Sequence, residues 1–145
     1  MPTNTLKIII AIFFIAHAFI HISLTWVPIP KPGAMRTPFF PAWWKADTDP
    51  KWPVSKLGLP ESLVRITGSI LFLAVTVAFC LAALGLLGLP GLNIAWIPLA
   101  GGASIVSIVL IALFWHPWLP AGILLDIVIL AAIYLHYPAN LFNSN

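Results

Sequence analysis

From Ile66 to Trp115 the chain reads ITGSILFLAVTVAFCLAALGLLGLPGLNIAWIPLAGGASIVSIVLIALFW, without a single formal charge. Crossing a hydrocarbon core of about 30 Å takes roughly 20 apolar residues in a helix. The run is therefore too long for one span and suits two. It breaks at Gly88-Leu89-Pro90-Gly91, where Pro90 lacks a backbone donor and Gly91 tolerates a turn, which divides it into a hairpin of spans 62–87 and 94–115. Upstream, Pro60 and Glu61 suit a helix start, since proline is tolerated in the first turn and a carboxylate there complements the helix dipole. Downstream, His116-Pro117-Trp118-Leu119-Pro120 separates a further apolar segment, 119–137, and another, 8–27, begins the chain. The expectation is an all-α polytopic membrane protein: four transmembrane helices in an antiparallel bundle, residues 1–145 forming one domain.

Composition agrees. Of 145 residues 61% are hydrophobic and 8% charged, against roughly 45–50% and about 25% in soluble domains. So few charges cannot solvate a globule of this size, which excludes a soluble enzyme, and a disordered chain needs the opposite balance. The net charge of +3 comes from seven Lys and Arg spread thinly, without the basic face of a nucleic-acid binder, so no nucleic-acid partner is expected. Cys80 is the only cysteine and forms no internal disulfide. Lys7, an apolar run and Ala16-His17-Ala18 also resemble a signal peptide, but apolar character continues to Val27, long enough for a retained anchor.

Aromatic residues at the ends of the segments, Trp26, Trp96, Trp115, Trp118, Tyr134 and Tyr137, read as markers of a membrane–water interface. Ala74, Ala78 and Ala82, and Ala100 and Ser104, recur at four-residue spacing, which lets helices approach closely in lipid. Between the first two spans lies a long loop, 28–60, with eight prolines and Trp43, Trp44 and Trp52. Proline at this density blocks regular helix. The loop's aromatics are expected to lie on the headgroup region, or to lid a cavity on that side. Lys31, Arg36, Lys45, Lys51 and Lys56 lie in the loop, against Lys7 alone near the termini. The positive-inside rule then makes the loop cytoplasmic and both termini external, in a cell membrane.

Ionisable residues inside a bilayer cost about 2.5–3.5 kcal/mol each on insertion scales and need a reason to be there. His17 and His21 share one helix face at i, i+4 spacing. Arg65 follows Glu61 in the order that favours an ion pair. His116 ends the third span and Asp126 lies in the fourth. At a rise of about 1.5 Å per residue, all five of His17, His21, Arg65, His116 and Asp126 fall in the loop-side half of the membrane. Simpler roles exist for each: Arg65 snorkelling to headgroups, His116 at the interface, the histidines as interhelical glue. Asp126 is hardest to dismiss, because a carboxylate at that depth is either neutral or held by Arg65 or a histidine. Together the five are the candidate ligand-binding residues, a one-sided polar pocket beneath an aromatic loop. The pair His17-x-x-x-His21 can by itself bind a metal, but no third ligand stands at a recognised spacing, so no metal site is assigned.

The segment Leu57-Gly58-Leu59-Pro60-Glu61-Ser62-Leu63-Val64-Arg65-Ile66-Thr67-Gly68, running on to Leu84-Gly85-Leu86-Leu87-Gly88, resembles the second helix of DoxX-like proteins. That resemblance implies a small four-helix bundle of the bacterial inner membrane. The chain departs from the family pattern where Ile70, Leu71 and Phe72 stand in place of a glutamate, and in its longer, proline-rich loop.

The function expected first is binding of an apolar or amphipathic ligand, a quinone or a lipid, in the loop-side pocket. A structural or accessory subunit of a larger membrane complex, or a homo-oligomer, is the alternative. A b-type haem protein is a further one, with His17 or His21 paired to a histidine of another helix. No nucleophile with its base is visible and Cys80 is flanked by apolar residues, so an enzyme is not expected. The sequence names no cofactor.

Overall fold

The computed structural model describes residues 3–25, 56–114 and 120–142, and among them there are helices and turns but no strand. The helices are α1 (Thr3–Thr25), α2 (Glu61–Leu86), α3 (Trp96–Leu113), α4 (Pro120–Tyr134) and a short α5 (Ala139–Phe142). Three of them, α1 to α3, are long and apolar enough to cross a membrane, and α4 is a shorter apolar helix. Most of the 28–60 loop, with its tryptophans, and the 115–119 connection lie outside the described residues.

Helix boundaries follow local chemistry rather than the edges of the apolar runs. The first helix starts at Thr3, five residues before the apolar segment, because Thr3, Asn4, Thr5 and Lys7 can extend a helix without being apolar. Pro60 is the N-cap of α2, and its carbonyl accepts the first helical bond from Val64 N–H at 3.1 Å. At the other end, the Gly88 N–H donates to Gly85 O and the Leu89 N–H to Leu84 O, the Schellman pattern. Gly88 has φ +91° there, a conformation that a side chain makes costly. The connection then turns through Leu89–Ala95, so α3 begins at Trp96 and not at Ile94. Pro98 sits in the first turn of α3, where its missing N–H has no helical acceptor to lose. The fourth helix stops at Tyr134, three residues before the apolar segment does. His136 takes the left-handed position at φ 49°, with His136 N–H donating to Ile133 O and Tyr137 N–H to Ala132 O. Pro120 opens α4, as proline at a first helical position does.

Successive helices pack on one another: α1 on α2, α2 on α3, α3 on α4. Inward positions recur at three- and four-residue intervals, as helical geometry requires: Ala11, Phe14, His17, Ala18 and His21 on α1, and Ala100, Ala103, Ser104, Ser107, Leu110 and Ile111 on α3. The α3 set is mostly small, which permits close approach. Of the small-residue positions singled out in the sequence, Ala82, Ala100 and Ser104 are buried, whereas Ala74 is exposed. Trp96 is also buried, at 4% exposure, unlike Tyr134 at 83%. It packs inward over Gly85, where an added Cβ would come within 3.0 Å of the Trp96 Cβ and 2.4 Å of Leu92 O.

The described residues are apolar outside and partly polar inside. Ile12, Phe19, Leu63, Ile70, Ile105 and Leu124 face outward, each more than half exposed, while His17, His21, Thr76, Ser104, Ser107 and Asp126 are buried. A water-soluble domain shows the reverse tendency, because buried polar groups need partners and exposed apolar stripes associate.

Candidate functional site: a buried histidine–aspartate–serine cluster

Three helices each contribute to one polar cluster. From α1, His17 and His21 point to the same side because four residues make just over one helical turn. Asp126 comes from α4 and Ser107 from α3. Counted away from the 115–119 connection, Ser107 and Asp126 stand at nearly the same level of the α3–α4 hairpin, so an inward-facing pair of them meets. His17 Nε2 lies 3.0 Å from Asp126 Oδ1, and the Ser107 hydroxyl donates to Asp126 Oδ2 at 2.5 Å. His21 Nε2 lies 3.3 Å from His17 Nε2 and 3.2 Å from Ser107 Oγ. Each side chain is at most 2% exposed. The carboxylate oxygens thus have one imidazole and one hydroxyl, and the costly group in the fourth apolar segment is satisfied.

Aromatic rings enclose the histidines. Phe13 stacks on His17 with centroids 5.9 Å apart, and Phe79 meets His17 edge-on at 4.9 Å while stacking on His21 at 5.9 Å. Phe72 stacks on the His21 ring at 6.0 Å. These contacts fix both ring planes, and they leave His17 Nδ1 and His21 Nδ1 buried without a hydrogen-bond partner among the described residues.

Next to the cluster is a cavity of about 210 Å³ lined by Ile10, Phe13 and Phe14 of α1, Val128, Ile129, Ala132 and Ile133 of α4, with Trp96, Tyr137, Pro138 and Leu141. It occupies the seam between α1 and α4, two helices that meet only sparsely among the described residues. The His17–Asp126 contact bridges that seam. Phe13, which stacks on His17, and Ile129, three residues after Asp126, belong to the cavity wall. The cavity is apolar and extends from the cluster toward the Thr3 end of α1 and the Tyr134 end of α4, the opposite direction from the loop-side pocket expected from the sequence.

Of the five residues singled out in the sequence, the structure brings His17, His21 and Asp126 together. Arg65 lies within α2, but its side chain is outside the described residues, and so is His116 altogether. Sequence reasoning missed Ser107, the hydroxyl that holds Asp126. Its signal was present: with Ala100, Ala103 and Ser104 it completes the small inner face of α3. Thr76 was also passed over; its hydroxyl donates to Phe72 O at 2.9 Å and to Ala18 O at 3.3 Å, tying α2 to α1. No family model, curated protein or solved structure matches this chain.

Proposed function

We propose that this chain is an antiparallel four-helix bundle of the cell membrane that holds an apolar or amphipathic ligand, of the quinone or lipid class, in the seam between α1 and α4. The carrying observation is the apolar cavity between α1 and α4, whose wall includes Phe13, the ring stacked on His17 of the buried His17–Asp126 bridge. A ring or a stretch of isoprenoid or acyl chain suits an apolar pocket of that volume, whose wall is built from apolar and aromatic side chains and includes none of His17, His21, Ser107 and Asp126. The outward-facing Ile, Leu, Val and Phe side chains support the bilayer as solvent. On this reading the loop is cytoplasmic by its basic residues, and the DoxX-like resemblance makes the membrane a bacterial inner one. Ala82, Ala100 and Ser104 pack within the chain, whereas Ala74 faces outward. His17 and His21 stand one turn apart on one helix and cannot take the two faces of one haem, and no histidine of another helix joins their cluster among the described residues.

Native mass spectrometry of protein released gently from its own membrane tests this. A stoichiometric small apolar molecule is expected, and Ala132→Trp, which fills the cavity, should abolish its retention while helix content by circular dichroism is kept. Wild-type protein that carries no small molecule and melts at one temperature with every quinone and lipid offered would remove the proposal. A partner subunit found in its place would favour the accessory role.

A further inference from the structure

The four contacts of the cluster form a closed ring: Asp126 to His17, His17 to His21, His21 to Ser107, Ser107 to Asp126. An imidazole nitrogen has one in-plane position, occupied either by a proton or by a lone pair. His17 Nε2 nevertheless faces both Asp126 Oδ1 and His21 Nε2, and His21 Nε2 faces both His17 Nε2 and Ser107 Oγ. Neither nitrogen can direct one proton or one lone pair at two partners. With the Ser107 proton given to Asp126, His21 Nε2–H is the donor left for Ser107, and His17 Nε2–H the donor left for an ionised Asp126. Two N–H groups then confront each other across 3.3 Å. Protonating Asp126 instead frees the His17 lone pair but uses it on the carboxyl proton. In either state at most three of the four contacts are full hydrogen bonds, and the contact between the two imidazoles is the one left over.

We propose that His17, His21 and Asp126 are the ligands of a divalent first-row transition-metal ion. A cation between the three donor atoms lets both lone pairs and the carboxylate point at one centre, which resolves the conflict. The donor atoms already lie within 4.8 Å of one another. At metal–ligand distances of about 2.0–2.2 Å, neighbouring donors stand roughly 2.9–3.5 Å apart in octahedral or tetrahedral sites. The His17–Asp126 and His17–His21 edges of 3.0 and 3.3 Å fall in that range, and the third pair, His21 and Asp126, within 4.8 Å, closes by up to about 1.3 Å as the ion enters. Two imidazoles and a carboxylate are a zinc or iron(II) donor set, unsuited to magnesium or calcium. Ser107, bound to the second carboxylate oxygen, orients the ligand as outer hydrogen bonds do in metal sites. The imidazole protons then reside on the Nδ1 atoms, which are buried without a hydrogen-bond partner among the described residues, a cost that the metal–nitrogen bonds offset. The inference is independent of what the cavity holds.

The test is a Co²⁺ titration of the full chain without a polyhistidine tag, stripped with chelator in mild detergent. Stoichiometric binding with ligand-field absorption is expected from wild type, lost in His21→Gln and in Asp126→Asn, and about 10–100-fold weaker in Ser107→Ala. Wild type without cobalt absorption, or His17→Gln/His21→Gln retaining it, would overturn the site. Should the variants fail to fold, wild type decides alone by paramagnetic NMR. Cobalt should shift the ring resonances of His17 and His21 and leave those of His136, and the opposite pattern would overturn the assignment.

Discussion

Two serines on one helix face, three residues apart and both fully buried, are in opposite situations. Ser107 gives its proton to Asp126 and stands against His21, whereas Ser104 Oγ has no hydrogen-bond partner among the described residues. Burial of a hydroxyl costs free energy unless it is hydrogen-bonded, and removing a partner leaves the other group exposed to that cost. Ser107→Ala should therefore destabilise the metal-free protein by about 1–2 kcal/mol, while Ser104→Ala should be neutral or slightly stabilising. Unfolding curves in mixed detergent and denaturant compare the two, and equal losses would show that side-chain volume, not Asp126, sets the effect. The same contrast bounds what was legible. Asp126 announced itself as an ionisable residue in an apolar segment, whereas Ser107 showed only as one more small residue on the inner face of α3, with its partner 19 positions away.

At the scale of elements, the α2–α3 hairpin is the part the sequence specified best, and its geometry shows why. Gly88 and the following Leu-Pro-Gly interrupt a uniform apolar run, and a backbone turn is a local property that residue type can encode. What the motif did not show is how tightly the turn folds back. Gly85, a residue inside the helix, is what lets Leu92 O and Trp96 lie against α2. Gly85→Val should open the hairpin and expose Trp96, seen as a red-shifted tryptophan emission in short-chain detergent, with helix content retained. Gly88→Ala, at φ +91°, should cost about 1–2 kcal/mol through backbone strain alone and leave Trp96 emission unchanged. A matching red shift in both variants would mean that the hairpin opens as a unit and that Gly85 has no separate packing role.

For the whole molecule, three helices able to cross a membrane and a fourth shorter one leave the topology to be settled by labelling. With Cys80 replaced by serine, a cysteine at Met35 in the loop should react with an impermeant maleimide only from the cytoplasmic side, and one at Ser144 only from outside. Reversed labelling would overturn the orientation drawn from the basic residues. The sequence by itself determined the helical class, the apolar exterior and the places where helices break, because hydropathy and the Pro and Gly signals act over a few neighbouring residues. It also determined that His17 and His21 share a face, which needs only the helical repeat. The convergence of that face with Asp126 of α4 and Ser107 of α3, and the opening of a cavity between α1 and α4, were decided by tertiary structure alone. These contacts join residues 86 and 109 positions apart. Their formation depends on the rotation and depth at which each helix packs, a choice made by complementary side-chain shape across helices and not by any one segment.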